Sequence, residues 1–229
     1  MNEESEIKNW LSKIGEFLAD LIFPVQCLGC HRAGKWLCER CYYQVKSHYS
    51  PFPPHLKKSP FNRLIAPFSY RDPLVRKLVK VYKYHFVQDI SQILSRLLIE
   101  YLKPLFKNIE PQNFILIPVP LHKRRLRFRG FNQAELLAEH IAREFNLPFA
   151  KDILIRRRNT TPQAQLKEKE RRQNIHEAFI AVRDPSLKNK IIILLDDVLT
   201  SGATLEECAR VLRRTCRPKA IWGVAVARG

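Results

Sequence analysis

No apolar run in this chain approaches the ~18 residues that a membrane-spanning helix needs, which argues against a helical membrane protein. The N-terminus, Met1-Asn2-Glu3-Glu4-Ser5-Glu6, is acidic where a secretory signal would be basic. The expectation is a soluble, cytoplasmic protein. No internal repeat is present. There is no Walker A loop, with its Lys after a Gly, and no G-x-G-x-x-G dinucleotide fingerprint. Acidic residues are scarce: 22 Asp and Glu stand against 40 Lys and Arg, so the formal charge is 40 − 22 = +18. That excess points to a polyanionic partner, either a phosphorylated metabolite or nucleic acid. What remains is a 229-residue chain that is 45% apolar, enough for a packed core and too much for wholesale disorder. The length fits one domain with an appendage, or two small ones.

Four of the six cysteines form one cluster, Cys27-x-x-Cys30 and Cys38-x-x-Cys41. In a reducing compartment such pairs are metal ligands more often than disulfides. Each pair closes a tight turn that presents two thiolates to one tetrahedral ion. Gly29, just before the second ligand, avoids crowding that turn. The expected module is a small treble clef or ribbon holding a zinc ion. Four thiolates leave no open coordination position, so the zinc is structural. His31 reads as a surface residue, and Cys208 and Cys216 as core or half-exposed thiols.

Trp10, Leu11, Ile14, Phe17, Leu18 and Leu21 recur at helical spacing, so residues 1–22 read as an amphipathic N-terminal helix ended by Pro24. Residues 23–47 form the zinc module. Residues 48–60 carry four prolines and read as a linker. Residues 61–229 are long enough for one α/β domain. In it, strands are expected over 64–70, 114–119, 152–156, 178–182, 191–195 and 220–226. Helices are expected over 74–82, 90–105, 134–145 and 205–216, with Asn132 and Glu135 resembling a capping box. Apolar strands alternating with amphipathic helices imply a mostly parallel sheet flanked by helices.

The most informative stretch is Ile191 to Leu195, Asp196, Asp197, Val198, Leu199, Thr200, Ser201, Gly202, Ala203 and Thr204. A buried strand ends in two carboxylates, a small hydroxyl-rich loop follows, and a helix begins. Ligands in open α/β sheets bind at the carboxyl ends of strands. A helix N-terminus with unpaired N–H groups binds phosphate, and Gly202 permits a close backbone approach. Paired carboxylates would repel that phosphate, but they suit the hydroxyls of a diol or a cation. A phosphate and a vicinal diol on one ligand describe a ribose 5-phosphate. The stretch resembles the phosphoribosyl pyrophosphate (PRPP) motif of type I phosphoribosyltransferases. By that resemblance Asp196 and Asp197 hold the ribose hydroxyls, and Thr200, Ser201, Gly202, Ala203 and Thr204 hold the 5-phosphate.

A second strand, ending at Pro118-Val119-Pro120, leads into a basic loop with Leu121, His122, Lys123 and Arg124. Its amides and cations suit a pyrophosphate. Residues 156–177 form a long polar stretch at the place of the phosphoribosyltransferase flexible loop. Three groups of residues now stand in order along the chain. They are the four cysteines, then Arg129-Gly130-Phe131-Asn132-Gln133, then Thr161-Pro162-Gln163 with Arg171 and Asn174. Together with the acid pair they are similar to the ComF family, which joins a zinc module to a type I phosphoribosyltransferase-like domain. That family is associated with bacterial competence and use of external DNA. The resemblance runs from about residue 20 to 229.

The resemblance implies binding of PRPP with Mg²⁺. If transfer occurs, it is displacement of pyrophosphate at the anomeric carbon. No general base and no acceptor is readable, nor is an oligomeric state. A rival expectation is a non-catalytic single-stranded DNA-binding protein in which PRPP regulates or the site is vestigial. Its candidate cations are Lys77, Lys80, Lys83, Arg124 to Arg129, Arg156 to Arg158, Arg210, Arg213, Arg214 and Arg217. Its candidate stacking aromatics are Tyr42, Tyr43, Phe128 and Phe131. A third is a scaffold docked to DNA-uptake proteins.

Overall fold

The computed structural model describes residues 25–49, 60–84, 88–160 and 173–229. The expected N-terminal helix, most of the linker, and Thr161, Pro162, Gln163 and Arg171 lie outside the described residues. The chain divides into two compact units, Met1–Ser47 and His48–Gly229.

In the first unit, a knuckle is closed by an antiparallel bridge between Gln26 and Ala33. Cys27 N donates to Arg32 O at 2.8 Å, and His31 N to Cys27 O at 2.9 Å. The tight reversal is made by left-handed backbone at His31 (φ 62°) and Gly34 (φ 99°). Helix α1 (Glu39–Ser47) starts one residue after Cys38 and buries Cys41, Tyr42 and Val45. A knuckle followed by a helix is the treble-clef arrangement, so the first pair of thiols lies on a turn and the second on a helix start.

The second unit is built on a parallel sheet. Its strands are β1 (Arg63–Ile65), β2 (Phe68–Ser69), β3 (Phe114–Pro118), β6 (Ile191–Leu199) and β7 (Ala220–Arg228). The order is β1-β7-β6-β3, and β2 also pairs with β7. Every pairing is parallel. The single strand expected over 64–70 is thus two short ones, interrupted at Ala66 and Pro67, because Pro67 has no N–H to give the ladder. β6 and β7 are buried along most of their length, as strands covered on both faces must be.

Helix α2 (Pro73–Tyr84) buries Val75, Leu78, Val79 and Tyr82. Asp72 caps it, its Oδ1 accepting from Leu74 N at 2.8 Å and Val75 N at 3.0 Å. Helix α3 (Ile90–Phe106) follows, then α4 (Lys123–Arg129) and α5 (Gln133–Glu144). The residues expected as a basic loop after β3 therefore fold from Lys123 onward into a short helix. The expected capping box is half present: Asn132 Oδ1 accepts from Ala134 N at 3.2 Å, while Glu135 pairs with Lys151 at 3.2 Å. Strands β4 (Leu154–Arg156) and β5 (Phe179–Ala181) make a separate antiparallel pair. Their buried Leu154 and Phe179 belong to the same apolar cluster as Leu205, Cys208 and Leu212 of helix α6 (Ala203–Cys216).

One register detail positions the site. β3 ends at Pro118, opposite Leu195. β6 does not stop there, as the sequence had suggested. It continues through both acids to Leu199, held on one side only, with Asp196 opposite Ala225 and Leu199 opposite Arg228. The carboxylates poorly suit a strand, but β7 extends far enough to carry their backbone. Beyond Leu195, β6 has lost its β3 neighbour, and a cleft opens on that side.

Candidate functional site

Asp196 and Asp197 sit where that cleft opens. Both line a cavity of about 190 Å³, together with Leu121, Arg125, Arg129, Asn132, Thr200 and Thr204. Asp197 N donates to Asp196 Oδ1 at 2.9 Å. Lys83, near the end of α2, reaches Asp197 Oδ1 at 2.8 Å. Burial alone would lower the Lys83 pKa; Asp197 more than offsets this and holds it above the usual lysine value. Asp196 is pushed up to about 7, first by burial and then by the neighbouring Asp197, against the pull of Lys83. The pair therefore shares one close cation and resists carrying two full negative charges.

The loop after β6 turns through Gly202, whose φ of 79° is left-handed. Gly202 offers α6 no side-chain cap. Ala203 N lies 3.4 Å from Ser201 Oγ, a long contact, and Glu206 N donates to Gly202 O at 2.9 Å. The start of α6 thus faces the same cleft as the acids with weak capping of its own.

On the other wall, Leu121 lines the cavity. His122 caps α4, its Nδ1 accepting from Arg124 N at 3.3 Å, and Lys123 and Arg124 are exposed. Gly130 ends α4 in the left-handed conformation that this position favours (φ 76°). Arg129 donates to Gln133 Oε1 at 2.9 Å. Asn132 Nδ2 donates to Val119 O at 3.2 Å, and Tyr82 OH to Gln133 O at 2.8 Å. The Arg129–Gln133 motif thus braces the end of β3 against α2 and α5. Asn174 O accepts from Arg158 at 3.1 Å.

Three cations of the cavity were missed in the sequence as site residues. Lys83 stood among the candidate nucleic-acid cations, and its acid partner is 114 positions away, since 197 − 83 = 114. Arg125 donates to Thr160 O. Arg156, at the end of β4, is 7% exposed, lies over the Phe179 ring at 5.2 Å and donates to Thr160 Oγ1. Its Nε has no partner among the described residues. Its pKa is lowered to about 10, by burial first and by Arg125 second. In the sequence it stood only among the candidate nucleic-acid cations, as a basic residue closing an apolar strand.

The expected nucleic-acid face loses several members. Lys83 and Arg156 are consumed in the cavity; Arg210 pairs with Glu207, and Arg213 holds Pro60 O at 2.7 Å. Tyr42 and Phe131 are buried, whereas Tyr43 and Phe128 are 58% and 78% exposed. Cys208 and Cys216 are both buried.

The family description "Phosphoribosyl transferase domain" matches residues 132–229. "Competence protein F" of Haemophilus influenzae is 31% identical over 230 residues, which is 90% of this chain and 98% of that protein. The chain belongs to the ComF family. "DNA utilization protein YhgH" of Escherichia coli K12 is 30% identical over 207 residues, 90% of each chain. "Competence protein ComFC" of Bacillus subtilis is 40% identical over 108 residues, 47% of this chain and 42% of that one. The ComF pattern of a four-cysteine module ahead of a type I phosphoribosyltransferase-like domain is present in full. The Sγ atoms of Cys27, Cys30, Cys38 and Cys41 all lie within 4.8 Å of one another. A tetrahedral Zn–S site at about 2.3 Å requires S···S separations near 3.8 Å. Cys30 and Cys38 stand 3.5 Å apart, and Cys38 N reaches Cys27 Sγ at 3.4 Å, as amides do toward bound thiolates. The cluster is compatible with a structural zinc ion. Among the described residues, no helix is long and apolar enough to cross a membrane.

Proposed function

We propose that this ComF protein binds PRPP in the cavity at the end of β6, and that it serves the handling of DNA taken up by the cell. One observation carries the first part. The acid pair stands where β6 outruns β3, and six residues after Asp197 (203 − 197 = 6) the chain enters the weakly capped start of α6. A diol site and a phosphate site are then held on one continuous piece of backbone.

In this reading Asp196 and Asp197 accept hydrogen bonds from the ribose hydroxyls. The amides and hydroxyls of residues 200–204 hold the 5-phosphate. Leu121 to Arg124 hold the pyrophosphate through the amides ahead of α4 and the exposed Lys123 and Arg124 side chains, with Arg125 and Arg156 adding positive charge that the described residues leave without a carboxylate partner in contact. Mg²⁺ bound with PRPP would neutralise part of the pyrophosphate charge. Lys83 pairs with the Asp197 carboxylate and holds it in place until the ligand arrives. Transfer, where an acceptor is supplied, is displacement at the anomeric carbon: the acceptor bond forms as the bond to pyrophosphate breaks. The cations of the cavity favour the leaving charge. The zinc module is structural. The link to DNA handling rests on the names of the relatives.

Calorimetric titration of the zinc-loaded protein with PRPP and Mg²⁺ tests the reading. Micromolar binding, abolished by Asp196→Asn with Asp197→Asn in a folded protein, is expected. Retained affinity in that double variant, or no binding up to millimolar PRPP, overturns it.

A further inference from the structure

A second concavity lies at the opposite end of α6, near the N-terminal ends of β6 and β7. It measures about 470 Å³ and is lined by Arg183, Asp184, Lys188, Arg214, Cys216 and Arg217, among others. Four cations meet there around one acid. Asp184 is already engaged, its Oδ1 accepting from Ser186 N at 2.9 Å. The cations come from two segments about thirty residues apart in sequence, and all four are exposed. Some other surface cations of this protein find acids: Lys103 meets Glu144 at 2.9 Å and Lys151 meets Glu135 at 3.2 Å. None of these four makes an ion pair among the described residues.

The dipole of α6 explains part of this, since cations are favoured at a helix C-terminus. It does not account for Arg183 and Lys188, which arrive on the segment after β5. Nor does it account for Arg217, which is left-handed (φ 52°) at a position where Gly is preferred. Lys190 and Lys219 extend the strip, Lys219 N donating to Lys190 O at 2.9 Å. No aromatic ring lines the concavity.

We propose that this concavity is a second anion site, separate from the acid-pair cavity, that takes a run of adjacent phosphates. Four convergent cations around a single acid, none of them in an ion pair among the described residues, fit closely spaced negative charge. The lack of aromatics means that phosphates are recognised and bases are not. The 14 residues of α6 span about 21 Å at 1.5 Å each. A single PRPP therefore cannot occupy both ends. The phosphates belong either to a nucleic-acid backbone or to a free polyphosphate.

The test compares two double variants that each remove two positive charges. One is Arg214→Gln with Arg217→Asn. The other is Arg76→Gln with Lys80→Gln, on the exposed side of α2. Fluorescence anisotropy with a labelled oligothymidylate is run across a salt series, with inorganic tripolyphosphate as competitor. The first variant is expected to bind at least tenfold more weakly, with its salt slope reduced by about 0.7 per cation removed for a single strand. Its PRPP titration is unchanged, and so is its melting temperature, since Asn tolerates the left-handed position. The control variant stays near wild type. Competition by tripolyphosphate at equal phosphate concentration assigns the site to free polyphosphate; its failure to compete assigns it to a strand. Equal behaviour of the two variants toward both probes overturns the proposal, because bulk charge then explains all binding. Should the first variant fold poorly, Arg183→Gln with Lys188→Gln on the other segment carries the same comparison.

Discussion

At the scale of single residues, the acid pair governs the pH response. Asp196 in the folded chain has a pKa near 7, whereas an unfolded Asp titrates near 3.9. Between these values the folded chain binds more protons than the unfolded one, so stability falls as pH rises from about 4 to 7 and stays reduced above that. Asp196→Asn removes this cost. The variant should melt above wild type by several degrees at pH 8 and converge with it near pH 4, as read by thermal unfolding across that range. A gain that is equal at both pH values would contradict the cause assigned to the shift. Lys83 is the counterpart. Its ammonium is largely buried against Asp197, and Lys83→Met leaves that carboxylate without its cation. A loss of about 2 kcal/mol is expected from urea unfolding, below the 3–5 kcal/mol of a fully buried pair because water still reaches it. Lys83→Arg should recover most of it.

At the scale of elements, the turn between β6 and α6 decides how the phosphate loop is shaped. A Cβ on Gly202 would meet nothing closer than 3.5 Å, so the obstacle to replacement is conformational, not steric. Gly202→Ala should cost about 1 kcal/mol, the penalty of a left-handed alanine. It should weaken PRPP binding by more than that loss alone predicts, since the loop relaxes away from φ 79°. Urea unfolding and calorimetry on the same variant separate the two effects. The elements were readable to different degrees for physical reasons. β6 was legible through residue 195 because five consecutive apolar residues fit a doubly covered strand. Its last four residues were not, because only the partner strand β7 stabilises them there. α4 was hidden by its five cations, which disfavour an isolated helix; it is held by the His122 cap and the Gly130 terminus. The acid pair and the hydroxyl loop were contiguous in sequence and so were visible. Lys83 and Arg156 join them only through tertiary structure, which no local pattern reports.

At the scale of the whole molecule, the two units answer to different forces. The Met1–Ser47 unit has few buried apolar residues among those described, chiefly Leu37, Tyr42 and Val45. Below about 40 residues a domain usually needs a metal or crosslink to fold. Cys27→Ser, or treatment with a strong zinc chelator, should abolish hydrogen-exchange protection over residues 25–47 and reduce the zinc content measured by elemental analysis. The exchange pattern of β3, β6 and β7 should remain, because their core contains no metal ligand. Unchanged zinc in the Cys27→Ser protein would refute the ligand assignment.

The position of β7 has a consequence for how the chain reaches its structure. β7 lies between β1 and β6, yet among the described strands it comes last along the chain. Arg63 pairs with Trp222, a separation of 222 − 63 = 159 residues. A nascent chain emerging from the ribosome can form α2, α3 and α5 early, but β1 and β6 have no mutual pairing and must wait with open edges. Such non-local closure is intrinsically slow. Exposed strand edges in the interval invite association with other chains. Closure of the sheet therefore waits for β7, and the folding yield is expected to depend on how long β6 can be kept from unwanted partners.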